Sequence, residues 1–243
     1  MLPNTSMPRE NCQPNTGRRK PDSRDIAIYW GGPALVNRYD PSLLREQDLL
    51  RADLIRRSNA EIEWKVSRGL LQVIDCRSRA ISISHKRHHA AVATAPSGWQ
   101  LGVDLEQIRP RDVEALSTWM ASDVEAAALA QLPPDLALRH FYRLWTFKEA
   151  MVKARAQDFP ADLKRNTLTM EAGSGRWCIG TAPDMFEGRD WALRMFEAEP
   201  GWLLSVVWKA PPGTSADISW HIESDAPATP FALVAACDGS SVR

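Results

Sequence analysis

The chain has 243 residues, 44% of them hydrophobic, enough to bury a full core as one large domain or two small ones. Thirty basic residues balance thirty acidic ones, so no general attraction to nucleic acid is expected. No apolar run approaches the about 18 residues of a membrane span, the N-terminus lacks the apolar core of a signal peptide, and four scattered cysteines (Cys12, Cys76, Cys178, Cys237) without a C-x-x-C pair fit a reduced cytoplasmic protein.

In chain order, residues 1–24 are rich in Pro, Asn, Ser, Arg and Lys and read as a flexible basic leader, too poor in apolar surface to order itself. Residues 25–30 alternate as a first strand. Two helices are predicted over 43–58 and 60–74, the first carrying Arg45, Arg51, Arg56 and Arg57 on what reads mainly as a solvated face. Strands follow at 80–84, 90–95 and 98–108, then a helix from 110 to 119 with Val113, Leu116, Trp119 and Met120 as an apolar set. Ser122-Asp123-Val124-Glu125 has the spacing of a capping box before an Ala-rich helix, and a long helix is predicted over about 135–156. Strands return at 167–170, 176–180, 191–197 and 202–208. Pro211-Pro212-Gly213 reads as a boundary, with one more strand at 217–222 and a Pro/Ala/Ser tail beyond. The order strand, helices, strands thus occurs twice, an α+β class with halves at 25–97 and 98–210 and an extension at 211–243.

Two short segments carry the chemistry. In Leu101-Gly102-Val103-Asp104-Leu105-Glu106 the apolar residues recur every second position, so Asp104 and Glu106 project from one strand face, roughly 6.5 Å apart. Gly102 lies on the same face and leaves room for a ligand to approach. Oxygen donors so spaced suit Mg²⁺, although on this strand alone an exposed face carrying two acidic residues is the commoner arrangement. In the long helix, Leu144, Phe147, Met151 and Ala154 recur as a core-facing stripe; Glu149 lies nearly opposite, with Trp145 and Lys153 one turn either side and Lys148 flanking. A solvated Glu149–Lys153 pair, worth only about 0.2–0.5 kcal/mol, is the bland account of this face. It leaves Trp145 unexplained, because a large aromatic on a polar face marks contact with something.

G-V-D-L-E (Gly102–Glu106) followed by W-x-F-K-E-A-x-x-K (Trp145–Lys153) resembles the signature of the 4′-phosphopantetheinyl transferases, in particular the single-chain type with two similar halves. Ser122 to Glu125 resembles the family's S-x-x-E segment, Ile81 to His85 its strand ending in Ser-His, and Trp64 to Leu71 the helix whose arginine meets coenzyme A. The resemblance covers residues 40–208. It implies two α+β halves related by a pseudo-two-fold axis, with the active site in the cleft between them and one chain sufficient as a monomer. The implied reaction moves the phosphopantetheine arm of coenzyme A onto a serine of an apo acyl or peptidyl carrier protein, releasing 3′,5′-ADP. Asp104, Glu106 and Glu149 match the metal ligands for Mg²⁺. Glu149 and Lys153 match catalytic positions, Glu149 also accepting the serine proton. Lys148 and Lys153 match lysines at the phosphates, and Arg68, Ser84 and His85 match the nucleotide-holding positions. The helix at 110–119 corresponds to the region that meets the carrier.

The chain departs from that pattern in two places. The Gly-Lys-Pro segment expected between the arginine helix and the Ser-His strand is absent, and Arg77-Ser78-Arg79 stands nearest its place. After Ser84-His85 comes Lys86-Arg87-His88-His89, more basic than the small polar residues expected there. That run reads either as extra phosphate contacts or as a solvated turn, and it lacks ligand spacing for zinc. Two rival readings share these residues: a non-catalytic carrier-binding protein, and another Mg²⁺-dependent nucleotide transferase or phosphohydrolase.

Overall fold

The first described strand, Ile26–Gly31 (β1), carries no charge and is buried along its whole length. This computed structural model describes residues 25–55, 60–74, 79–171, 176–181 and 190–238, apart from the side chains of 47, 50, 53 and 54. The expected leader and the residues Arg56, Arg57, Arg77, Ser78, Cys12 and Cys76 lie outside them. After β1 come helices α1 (Glu46–Ile55) and α2 (Glu61–Val73), then the hairpin β2 (Arg79–Lys86) and β3 (His89–Pro96). The second series is β4 (Gln100–Gln107), α3 (Val113–Met120), α4 (Asp123–Ala130), α5 (Pro134–Ala154), the ribbon β5 (Asn166–Met170) with β6 (Trp177–Thr181), and the hairpin β7 (Ala192–Ala198) with β8 (Trp202–Lys209). Two further strands, β9 (Ile218–Ile222) and β10 (Ala232–Cys237), complete the described chain.

Two four-stranded sheets form, in the orders β2-β3-β1-β9 and β10-β7-β8-β4. In both, the strand that opens the half lies antiparallel beside the second strand of the hairpin: β1 against β3, β4 against β8. The two halves therefore share a local order, β2-β3-β1 and β7-β8-β4. The strand expected at 217–222 is present as β9, and the tail beyond it supplies a second strand, β10. β9 runs parallel to β1 and β10 antiparallel to β7, so one short segment adds a strand to each sheet. The sequence hides β10, because Ala232–Cys237 is uniformly apolar with no polar alternation and follows a Pro/Ala/Ser-rich stretch.

The period-two patterning sets the layers. Ile26, Ile28, Trp30, Ala91 and Ala93 on one sheet meet Leu101, Val103, Leu105, Leu204 and Val206 on the other in a core between the sheets. The outer face of the first sheet, with Tyr29 and Val92, packs on Val66, Leu70 and Leu71 of α2. The outer face of the second, with Leu193, Leu203 and Val207, packs on Leu144, Phe147, Met151 and Ala154 of α5. That is the stripe read from the sequence, and burial of each large apolar side chain contributes about 1.5–3 kcal/mol.

Helix ends follow local chemistry. Asp112 caps α3 through Ala115 N–H, and Ser122 and Glu125 form the full reciprocal capping box of α4. At the end of α5, Ala156 adopts a left-handed conformation (φ 50°) while the Gln157 N–H donates to Val152 C=O and the Ala156 N–H to Lys153 C=O. This Schellman-type stop ends the helix just past Lys153.

Candidate active site

Strand β4 is an edge of its sheet, and an edge strand has backbone groups to satisfy. Its neighbour on that side is β2, which approaches with side chains. The Val103 N–H donates to Ser82 Oγ at 2.9 Å and the Leu105 N–H to Ser84 Oγ at 3.2 Å. Ser82, Ser84 and Lys86 share one face of β2 by the strand's period of two. The Ser84 hydroxyl in turn donates to Asp104 Oδ1 at 2.8 Å, and Lys86 Nζ donates to Glu106 Oε1 at 2.8 Å. The other flank of β4 is α5. A Cβ built at Gly102 would overlap the carbonyl oxygen of Ala150, so this glycine lets helix backbone, not a ligand, come close. The expectation of ligand space at Gly102 is corrected accordingly.

That close approach brings Glu149 over the strand. One carboxylate oxygen each from Asp104, Glu106 and Glu149 can be chosen so that all lie within 4.8 Å of one another. Asp104 is 2% exposed and Glu106 7%. Asp104 Oδ2 is buried with no hydrogen-bond partner, a costly state for a carboxylate oxygen that a cation would relieve. Burial, with the nearby Asp104 charge, pushes the Glu149 carboxyl up to about 8. Burial also raises Glu106, against the hydrogen bond from Lys86. Three crowded carboxylates with an orphaned oxygen fit a hard divalent cation such as Mg²⁺, which favours such oxygen donors.

Lys153 Nζ donates to Asp104 Oδ1 at 2.8 Å and to Val103 C=O at 3.1 Å. Its ammonium thus sits on β4, which decides against the solvated Glu149–Lys153 pair. Ser84 is in the cluster. His85 is next to it, its exposed ring 3.4 Å from Glu63 of α2. Partial burial lowers the His85 pKa, Glu63 opposes this, and Lys153 and Arg68 add to the lowering. Arg68 Nη2 is 2.8 Å from Asp48 Oδ1 and its guanidinium lies 3.9 Å over the Trp64 ring, so α1 and α2 already engage it.

Lys148 is placed elsewhere, correcting the expectation that it serves phosphate oxygens. Its ammonium is fully buried, 2.8 Å from Glu125 Oε2, and donates to the carbonyls of Leu163 and Asn166. Burial depresses its pKa, with Glu125 opposing. Glu125 also accepts from Ser122 and from the Leu168 N–H, so this pair ties α4, α5 and β5 together. Trp145 is half-buried and meets Trp119, Phe141 and Phe159 ring to ring, which accounts for an aromatic on that face. Trp119 and Phe159 remain 38% and 54% exposed beside it.

Sequence reasoning missed Ser82 and the Glu106 contact of Lys86. Ser-x-Ser-x-Lys at 82, 84 and 86, on one face of β2, was the available signal. Among the described residues, no helix is long and apolar enough to cross a membrane.

Comparison with known proteins falls on this same region. Residues 100–195 match the family model described as the 4′-phosphopantetheinyl transferase superfamily. AcpT of Escherichia coli, named a 4′-phosphopantetheinyl transferase, is 38% identical over 78 residues, which cover 30% of this chain and 38% of that relative. AcpT of Salmonella typhi is 37% identical over 75 residues, covering 30% and 38%. HetI of a Nostoc species, named likewise, is 36% identical over 74 residues, covering 30% and 31%. The matches thus span well under half of these relatives. Over residues 100–195, where β4 and α5 bring the three carboxylates together, the chain is similar to the 4′-phosphopantetheinyl transferase superfamily.

Proposed function

We propose that this chain transfers the 4′-phosphopantetheine arm of coenzyme A to a serine hydroxyl of an apo acyl or peptidyl carrier protein, releasing 3′,5′-ADP. The observation that carries this reading is the Asp104–Glu106–Glu149 cluster with its orphaned Asp104 oxygen, inside the matched domain. Asp104, Glu106 and Glu149 would hold Mg²⁺. Bound there, the ion supplies Lewis-acid polarisation and charge neutralisation at the pyrophosphate.

The chain's own groups do the rest. The carrier serine Oγ forms a bond to the pantetheine-side phosphorus as the bond from that phosphorus to the bridging oxygen breaks, and the leaving oxygen departs with 3′,5′-ADP. Glu149 takes the serine proton as general base. Lys153, already anchored on β4, stabilises the charge that develops on the phosphate oxygens. Ser84 fixes Asp104, and His85 and Arg68 lie on the nucleotide side, with Asp48 competing for the guanidinium. The exposed Trp119 and Phe159 rings form the carrier-facing surface. The shared strand order of the two halves supports the single-chain, two-half type; action as a monomer in the cytoplasm is part of the same proposal.

Intact-mass spectrometry of a panel of apo carriers, incubated with the protein, coenzyme A and Mg²⁺, tests this reading. A gain of one phosphopantetheine arm is expected, abolished by Asp104→Ala or Glu149→Ala in folded protein and by EDTA. Coenzyme A cleavage with no gain on any carrier would favour a hydrolase instead.

A further inference from the structure

Lys86 belongs to the basic run that the reaction above leaves without a role. It closes β2, paired with His89 across the hairpin. The two-residue turn between them is Arg87-His88, with φ of 47° and 64°. Tight hairpin turns of this kind favour Asn-Gly, because side-chain-bearing residues are strained at positive φ. The turn is held by Arg87 Nη1 on Gln107 Oε1 at 2.9 Å and by His89 Nδ1 on Arg87 C=O at 2.9 Å. Strain of this sort persists where the surroundings over-determine it, and such places cluster at functional sites. Its consequence here is to place the Lys86 ammonium 2.8 Å from Glu106 Oε1, with the lysine side chain 26% exposed.

The two β4 carboxylates are thus treated alike. Lys153 holds one oxygen of Asp104 and Lys86 holds one oxygen of Glu106. Each lysine engages a single oxygen, leaving the second oxygen of that carboxylate for a cation. Each also contributes a positive charge beside a site meant to receive an anionic pyrophosphate. Three carboxylates without Lys86 would attract a divalent cation more strongly and repel the pyrophosphate more strongly.

We propose that Lys86 is a positioning and charge-balancing residue of the carboxylate cluster: it orients Glu106 and shifts the site's preference from free divalent cation toward the cation with the pyrophosphate of coenzyme A. This rests on the reading of the cluster given above. One unit charge a few ångströms away in a partly buried site changes affinities by about ten-fold. The two effects of removing it have opposite signs, which a purely structural role would not produce.

The test uses the full chain with Mn²⁺ alone as one probe, followed by electron paramagnetic resonance, and coenzyme A at saturating Mg²⁺ as the other, followed by calorimetry. Lys86→Met is expected to bind Mn²⁺ about ten-fold more tightly and coenzyme A about ten-fold more weakly, and Lys86→Arg to restore both. Unchanged constants in Lys86→Met, or both weakening together, would overturn the role of Lys86 while the cluster reading stands. Failure of the unsubstituted protein to bind either probe would overturn the cluster reading and this proposal with it.

Discussion

β1 and β4 each lie beside the second strand of a hairpin in their sheets, yet only β4 carries carboxylates. β1 lies between β3 and β9, so both its edges are hydrogen-bonded, and it is apolar and buried throughout. β4 has β8 on one side, while its other edge meets the side chains of Ser82, Ser84 and Lys86 instead of a strand ladder. An edge satisfied by side chains leaves carboxylates beside donors that a backbone ladder would have displaced. The C-terminal segment sharpens the contrast: it adds β9 to the edge of β1 and β10 to the far side of the second sheet, leaving the edge of β4 open. The shared strand order thus supplies two similar strands, and the difference in their edges goes with which one carries the carboxylate cluster.

Removing the support behind α5 should break the comparison most severely. Lys148→Met leaves the buried Glu125 carboxylate without its counter-charge, and loss of one partner from such a pair costs about 3–5 kcal/mol. Urea denaturation should show that loss, while the protein that remains folded keeps Mn²⁺ binding, because Lys148 does not touch the cluster. Loss of Mn²⁺ binding without loss of stability would return Lys148 to the site.

A smaller effect separates the two serines of β2. Ser82→Ala and Ser84→Ala each strand a buried β4 N–H, at about 1–3 kcal/mol each. Only Ser84 also donates to Asp104, so only Ser84→Ala should change coenzyme A or Mn²⁺ binding in addition to the melting temperature. Equal binding constants for the two variants would show that the Ser84–Asp104 contact has no part in the site.

The smallest effect concerns pH. His140, stacked on Trp177, has its pKa lowered by burial and by Arg143. The unfolded chain therefore takes up this proton at higher pH than the folded one. Stability should fall as pH drops below the ordinary imidazole value near 6.5 and level off below the folded value. Urea midpoints for His140→Phe between pH 8 and pH 5 should show a shallower decline than those of the parent; identical slopes would remove His140 from the account.

How much of this was legible in the sequence depended on range. The shared face of Asp104 and Glu106, the stripe Leu144-Phe147-Met151-Ala154 and the Ser122–Glu125 box are set by periods of two to four residues, and each stands in the structure. The purpose of Gly102 was misread, because its close neighbour, Ala150, lies on another element. Lys148 was misassigned for the same reason: nothing near it in the sequence signals that Glu125 waits inside the core. β10 escaped notice because its pairing with β7 depends on a sheet edge formed about forty residues earlier. Local patterning specified where side chains point, and long-range packing decided what they meet.

The most direct test of the central claim is an anomalous difference map from crystals grown with Mn²⁺ and coenzyme A. The account predicts one strong peak bounded by Asp104, Glu106 and Glu149, on the β4 side of the molecule, with the pyrophosphate against it. Density for coenzyme A with no manganese peak among those three carboxylates, or a peak held by other residues, would contradict it.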